Sequence, residues 1–238
     1  MVVKGTEPPV PFRSDIISDI IKNKPTTFIV LEVELPFKCN PEEFEKIYQE
    51  EYKNKITHGF IRSGLGISEG VRLKLNGTFG RWLYLLDEND RLYMVRYRIQ
   101  TALWSNPETG SDTYVSIFPN FIKQYCQPCL HLLEHISCHV GKGEDILRYI
   151  DDPEGLVTCE DRFARIMKRL EVNCANASYP ALLNSRYTEV YNRPITLSGS
   201  SIAGVRRYPW IFTLVATAIQ YFGRHTGVLS LANTVILL

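Results

Sequence analysis

The sequence predicts an α+β protein: a small β-rich N-terminal part with a hairpin, followed by a helical, helix-turn-helix-like C-terminal part. Apolar and polar residues alternate along the hairpin strands, whereas beyond residue 119 apolar residues recur at helical spacing. We therefore divide the chain into parts 1–119 and 120–238. With 45% hydrophobic and 22% charged residues, the 238-residue chain has the composition of a globular protein rather than a disordered one.

The first elements are predicted from local start and stop signals. Residues Ser14–Asn23 form a short helix that stops before a proline, and the β-branched run Thr26–Leu35 is a strand. Asn40 and Pro41 are strong signals for the start of a helix that runs to about Lys55. The segment Gly59–Gly80 contains six glycines, which predicts a loop with a short strand at 71–75.

The hairpin is the strongest β prediction in the chain. Its strands are Trp82–Leu86 and Arg91–Ile99, joined by the turn Asp87-Glu88-Asn89-Asp90. Arg96 and Arg98 share one face of the second strand. They could meet phosphate, but we favour an ordinary solvated face.

The chain after the hairpin changes from strand to helix. A strand at Thr113–Phe118 ends at Pro119, and a helical region covers Asn120–Val140, in which Pro128 should restart the helix. A short helix at Glu144–Ile150 and a later one at Ala181–Tyr191 are also expected.

The segment Val157–Val172 predicts an amphipathic helix with Thr158 as its N-cap. One face is apolar and the other cationic. The apolar positions are Phe163, Ile166, Met167 and Leu170, and the cations are Arg162, Arg165, Lys168 and Arg169. In a helix-turn-helix, 158–172 would be the recognition helix, 144–150 the supporting helix and 151–157 an unusually long turn. A solvated surface helix would show the same pattern.

The charge distribution favours the C-terminal half for anion binding. Net charge is only +1, but residues 160–224 carry nine Lys or Arg and four Asp or Glu. Arg186, Arg206 and Arg207 lie in this half and would support binding of double-stranded DNA by the helix at 158–172.

Two short motifs offer alternatives. His131, Glu134 and His135 match the H-x-x-E-H pattern of inverted zinc proteases, but a third metal ligand is not evident. Cys126 and Cys129 form one C-x-x-C without the second pair that a structural zinc site needs, so we interpret them as free thiols. The sequence indicates no catalytic centre and no cofactor.

The apolar C-terminal tail, from Tyr208 onward, raises the question of a membrane or an oligomer. The runs 210–222 and 228–238 are each shorter than the roughly 20 residues of a spanning helix, so we expect no membrane insertion. A non-catalytic interaction module that forms homo-oligomers through this tail is the second functional hypothesis. The N-terminus lacks the apolar region of a signal peptide, which predicts a cytoplasmic protein with reduced cysteines.

Tyr97-Arg98 and the later run Thr113–Tyr125 resemble short transposase-like proteins of bacterial mobile elements. Phe118-Pro119-Asn120-Phe121 matches the aromatic junction of that family, and Ile150–Arg162 matches its helical segment. The resemblance spans residues 80–172. It implies a zinc-ribbon-like β unit followed by a helix-turn-helix that binds DNA.

One departure from that family concerns its zinc cysteines. The chain has a lone Cys39 before the hairpin and no cysteine between Thr101 and Thr113, so the metal site of this degenerate ribbon is either lost or was never present. No catalytic transposase domain follows. The resemblance therefore implies an accessory or degenerate DNA-binding protein without strand-transfer chemistry.

Overall fold

The computed structural model describes residues 28–124, 126–144, 149–152, 160–175 and 208–222, and single positions between 181 and 192 and between 227 and 233. Within these residues a four-stranded sheet is combined with five α-helices, which confirms the mixed α+β composition. The predicted helix at 14–23 lies outside the described residues. The described positions between 181 and 189 are helical, in agreement with the helix expected at 181–191.

The elements follow one another in the order β1, α1, α2, β2, β3, β4, α3, α4, α5. Their bounds are β1 Phe28–Leu31, α1 Pro41–Ile47, α2 His58–Leu65, β2 Leu73–Leu86, β3 Leu92–Ser105, β4 Asp112–Pro119, α3 Leu130–Gly141, α4 Glu160–Cys174 and α5 Pro209–Phe222. A π-helical segment, Tyr48–Lys53, continues α1. The predicted start of α1 is confirmed, since the Asn40 side chain accepts a hydrogen bond from the backbone N–H of Glu43 at 2.9 Å.

The sheet has the strand order β1-β4-β3-β2. The predicted hairpin is confirmed but is longer than expected, because β2 and β3 have 14 residues each. At its turn the Asp87 carboxylate accepts hydrogen bonds from the N–H groups of Asn89 and Arg91 at 2.8 and 2.9 Å. Strand β4 pairs antiparallel with β3 and parallel with β1, where Phe28 lies opposite Ser116.

Two tyrosine hydroxyls form hydrogen bonds with the backbone of β3 near Gln100, where its pairing with β4 ends. The hydroxyl of Tyr52 accepts a hydrogen bond from the N–H of Gln100 at 2.9 Å and donates one to the carbonyl of Ile117. One helical turn earlier, the hydroxyl of Tyr48 donates to the carbonyl of Arg98 at 2.7 Å. These contacts replace strand pairing for buried and partly buried backbone groups that would otherwise be costly to leave unpaired.

Helix α2 corrects the prediction that 59–80 is a loop with a short strand at 71–75, although β2 begins at Leu73 and so overlaps the predicted strand. Thr57 caps its N-terminus by accepting a hydrogen bond from the Phe60 N–H at 3.1 Å, and Gly66 ends it in the left-handed conformation, at φ 64°. Ile61 is fully buried within the cluster that contains β1. Burial of this apolar side chain outweighs the low helix propensity of the glycines.

The described residues of 120–129, all but residue 125, are not helical, which corrects the predicted start of the helical half. The Asn120 side chain accepts a hydrogen bond from the N–H of Val33 at 3.1 Å, so this segment is held as a loop beside β1. Pro128 pairs with Tyr84 at the edge of β2. The helix begins at Leu130 with Cys129 as its N-cap, and the predicted restart after Pro128 is confirmed.

Helix α3 contributes to two apolar clusters. Leu132 and Ile136 pack into the cluster formed with the sheet and α1, whereas Leu130 and Leu133 pack with α4 and α5. The helix is therefore buried on nearly all sides. None of the described helices is long and apolar enough to cross a membrane.

Candidate functional site

Helix α4 presents a cationic face to solvent. Arg165, Lys168 and Arg169 are exposed, whereas Met167 and Leu170 are fully buried against the other helices. The described side chains thus confirm the amphipathic pattern expected for 157–172. The predicted N-cap, at position 158, lies outside the described residues.

The carboxylate of Glu171 is directed away from this face. It accepts hydrogen bonds from the backbone N–H groups of Trp210 and Ile211, at 2.7 and 3.0 Å, and so caps the N-terminus of α5. The partial positive charge of a helix N-terminus stabilises a carboxylate in this position. Because the acid is used within the protein, the described exposed side chains of α4 include cations but no acid.

The structure describes only some of the predicted DNA-binding residues. The backbone of Arg162 lies in α4, but its side chain falls outside the described residues, as do Arg186, Arg206 and Arg207. The sequence did not indicate that a further cation, Lys123, lies near these residues. Lys123 is buried near Arg169, and burial, together with the positive charge of Arg169, lowers the pKa of the Lys123 ammonium.

The predicted supporting helix at 144–150 is not formed at its described positions. Residues 144, 149 and 150 are not helical. Instead the chain here pairs with the hairpin turn. The Asp151 carbonyl accepts a hydrogen bond from the Leu92 N–H at 2.8 Å. The N–H of Asp151 donates one to the Asp90 carbonyl, also at 2.8 Å. Residues 145–148 lie outside the described residues. The neighbour that supports α4 is α5, which packs against both α3 and α4.

The histidines of the H-x-x-E-H motif lie on α3 and both pack against Phe37, but their polar neighbours differ. The His131 ring lies 3.3 Å from the Pro36 carbonyl, measured from Nδ1, and stacks on Phe37. Glu134 is fully buried and accepts a hydrogen bond from the Leu229 N–H at 3.2 Å. His135 lies 3.9 Å from the Asp90 carboxylate. Within the described residues, no group of three or more potential metal ligands is placed to hold an ion.

A polar pocket of about 650 Å³ lies between His135 and the hairpin turn. Its walls include the carboxylates of Asp90, Asp151 and Asp152. Asp90 forms an ion pair with Lys38 at 2.8 Å, measured between Nζ and Oδ2. An acidic lining repels phosphate, so this pocket does not extend the cationic face of α4.

No protein-family model, curated protein or solved structure matches the chain. The likeness to short transposase-like proteins therefore stays a prediction made from the sequence. In the structure, its aromatic junction Phe118-Pro119-Asn120-Phe121 forms the end of β4 and the buried turn that follows.

The C-x-x-C motif lies in the protein interior. Cys126 and Cys129 are both buried, and burial raises the pKa of the Cys129 thiol to about 12. Redox-active C-x-x-C motifs instead lower the pKa of one thiol so that it reacts as the thiolate. The environment of Cys129 is therefore that of a packed side chain.

Cys129 and Cys138 should resist alkylation in the folded protein. Burial raises the pKa of both thiols to about 12, so few thiolates are present at neutral pH, and little of either side chain is accessible. Iodoacetamide labelling followed by mass spectrometry, with and without denaturant, measures this. Fast labelling of Cys129 in the folded protein at pH 7 would show that its thiol is accessible and activated.

Proposed function

We propose that the protein binds double-stranded DNA through the exposed cations of α4. One observation supports this most directly: Arg165, Lys168 and Arg169 are exposed on one helix face, while Glu171 is turned inward to cap α5. Under this proposal the protein is an accessory or degenerate relative of mobile-element transposases. It acts in the cytoplasm and contributes no catalytic centre of its own.

The geometry of α4 suits a duplex. At about 1.5 Å of rise per residue, the three cations lie within roughly 6 Å along the helix axis. Duplex DNA presents one negative charge per about 1.7 Å, and its major groove admits an α-helix. Val172, which is 65% exposed on α4, provides an apolar side chain that could contact a thymine methyl group.

The other predicted cations belong to the same proposal. Arg162 lies on α4, and Arg186, Arg206 and Arg207 add positive charge in the C-terminal half of the sequence. Contacts with phosphate from several such residues would position the protein without reading sequence.

The double charge reversal Arg165→Glu/Arg169→Glu should weaken duplex binding by about tenfold or more at low salt. Each lost phosphate contact should also reduce the slope of log affinity against log salt by about 0.9, so the double variant loses roughly 2. Fluorescence anisotropy with a random-sequence duplex, at several salt concentrations, measures both quantities.

A matched control is Lys46→Glu/Lys53→Glu, which reverses two exposed cations outside α4, on α1 and its π-helical continuation. This variant has the same change in net charge and should retain most of the wild-type affinity. If the wild-type protein fails to bind duplex DNA at low salt, or if both double variants lose the same affinity, the proposal is wrong.

The two alternatives have less support. Much of the apolar surface of α5 is already used inside the protein, because Ile211, Leu214 and Val215 are buried against α3 and α4. A homo-oligomer through the tail would need other residues. The zinc hydrolase would require Glu134 beside a metal-bound water, whereas this carboxylate is fully buried against the backbone at Leu229.

A further inference from the structure

The hairpin has a second exposed surface, which we call the hairpin face. It consists of four directly opposed pairs: Thr78 and Gln100, Gly80 and Arg98, Trp82 and Arg96, Tyr84 and Met94. Opposed residues in an antiparallel pair project to the same side of the sheet. The hairpin face thus holds two arginines, two aromatic residues and no acid. The opposite side contains the buried residues Leu83 and Ile99.

Two large apolar side chains on the hairpin face are exposed to solvent. Trp82 is 44% exposed and Met94 38% exposed, although both have a large apolar surface. An isolated exposed apolar residue needs no explanation, but a tryptophan and a methionine beside two arginines form a mixed patch typical of binding surfaces.

The arginines are held across the sheet rather than extended into solvent. The Arg96 guanidinium lies 5.9 Å from the centre of the Trp82 ring, in a cation–π contact. Gly80 makes room for it, since a Cβ atom there would be only 3.0 Å from Arg96 Nε. Arg98 is fixed by a hydrogen bond from its Nε to the Thr78 hydroxyl at 2.7 Å.

We propose that the hairpin face binds single-stranded nucleic acid, with Trp82 stacking on a base and with Arg96 and Arg98 contacting phosphates. Positive groups beside an exposed aromatic ring are the combination used for single strands. A duplex is a poorer ligand, because its base faces are covered by their neighbours and offer no surface for Trp82. The proposal is independent of duplex binding by α4.

Binding of fluorescent oligothymidylate, measured by anisotropy at low salt, tests the proposal. Trp82→Ala should lower the affinity about tenfold, as expected for the loss of one stacked base. Arg96→Gln/Arg98→Gln should reduce the salt slope by about 1.4, from about 0.7 for each lost single-strand phosphate contact. Both variants should bind duplex DNA as the wild-type protein does.

The charge-matched control is Arg72→Gln/Lys74→Gln, in which Lys74 pairs with Leu103 and thus lies on the other side of the hairpin. It should bind oligothymidylate normally. The proposal is overturned if the wild-type protein does not bind oligothymidylate, if all three variants bind it equally well, or if an acidic peptide competes with it completely and binds more tightly. In the last case the hairpin face would be a protein-binding surface.

Discussion

Replacing Gly141 with alanine should destabilise the protein by about 1 to 3 kcal/mol, the usual cost of overpacking a core. Gly141 ends α3 where this helix meets α5, and a Cβ atom there would lie 2.5 Å from Cδ2 of Phe212. Carbon atoms prefer about 3.5 to 4.0 Å, so the Phe212 side chain or one of the helices must shift. Urea unfolding, followed by circular dichroism, gives the change in the free energy of unfolding.

The same substitution at Gly59 provides a control of opposite sign. Gly59 lies in α2, and a Cβ atom there meets nothing closer than 3.9 Å. Alanine should stabilise the protein at this position by up to about 1 kcal/mol, because it restricts the unfolded chain and favours the helix. If Gly141→Ala also stabilises the protein, α3 and α5 do not pack as closely at Gly141 as the structure indicates.

Tyr52→Phe should cost about 1 to 3 kcal/mol, although it removes a single oxygen atom. Tyr52 is 1% exposed, and its hydroxyl joins the N–H of Gln100 to the carbonyl of Ile117. Phenylalanine leaves both backbone groups buried without this partner. Chemical denaturation measures the loss, and hydrogen exchange should become faster at the Gln100 amide in particular.

Tyr114→Phe is the matched control, because Tyr114 is 62% exposed on β4 and its hydroxyl can bond to water. We expect a change within about 0.5 kcal/mol, as for most surface substitutions. If both substitutions change the free energy of unfolding equally, the hydroxyl of Tyr52 does not stabilise the protein by bridging Gln100 of β3 and Ile117 of β4.

Local signals were sufficient to predict several elements. Asn40 and Pro41 marked the start of α1 because a cap involves only adjacent residues, and the turn at 87–90 marked the hairpin for the same reason. The amphipathic pattern of α4 also predicted which of its faces is buried. In each case the residues that determine the structure are close together in the sequence.

Elements that depend on distant residues were missed. Helix α2 was interpreted as a loop because its glycines disfavour a helix, and its stabilisation comes from the packing of Ile61 with the sheet cluster. The segment 120–129 resembles a helix locally, but the Asn120 side chain bonds to Val33, 87 residues away in the sequence. No local pattern reports such a contact.

The candidate site was predicted in part. The exposed cations Arg165, Lys168 and Arg169 follow from helical periodicity alone. The inward position of Glu171 does not, because it depends on where the N-terminus of α5 lies. Similarly, Arg96 and Arg98 were placed on one face from alternation, whereas the opposed Trp82 required the register of the hairpin.

The pairing of β1 with β4 has a consequence during synthesis of the chain. Phe28 lies opposite Ser116, so β1 leaves the ribosome long before its partner strand exists. A contact so distant in sequence forms slowly, whereas the adjacent strands of the hairpin can pair at once. Until β4 is made, the apolar residues of β1 have no partner strand, so we expect this segment to be the part of the sheet most prone to aggregation during synthesis.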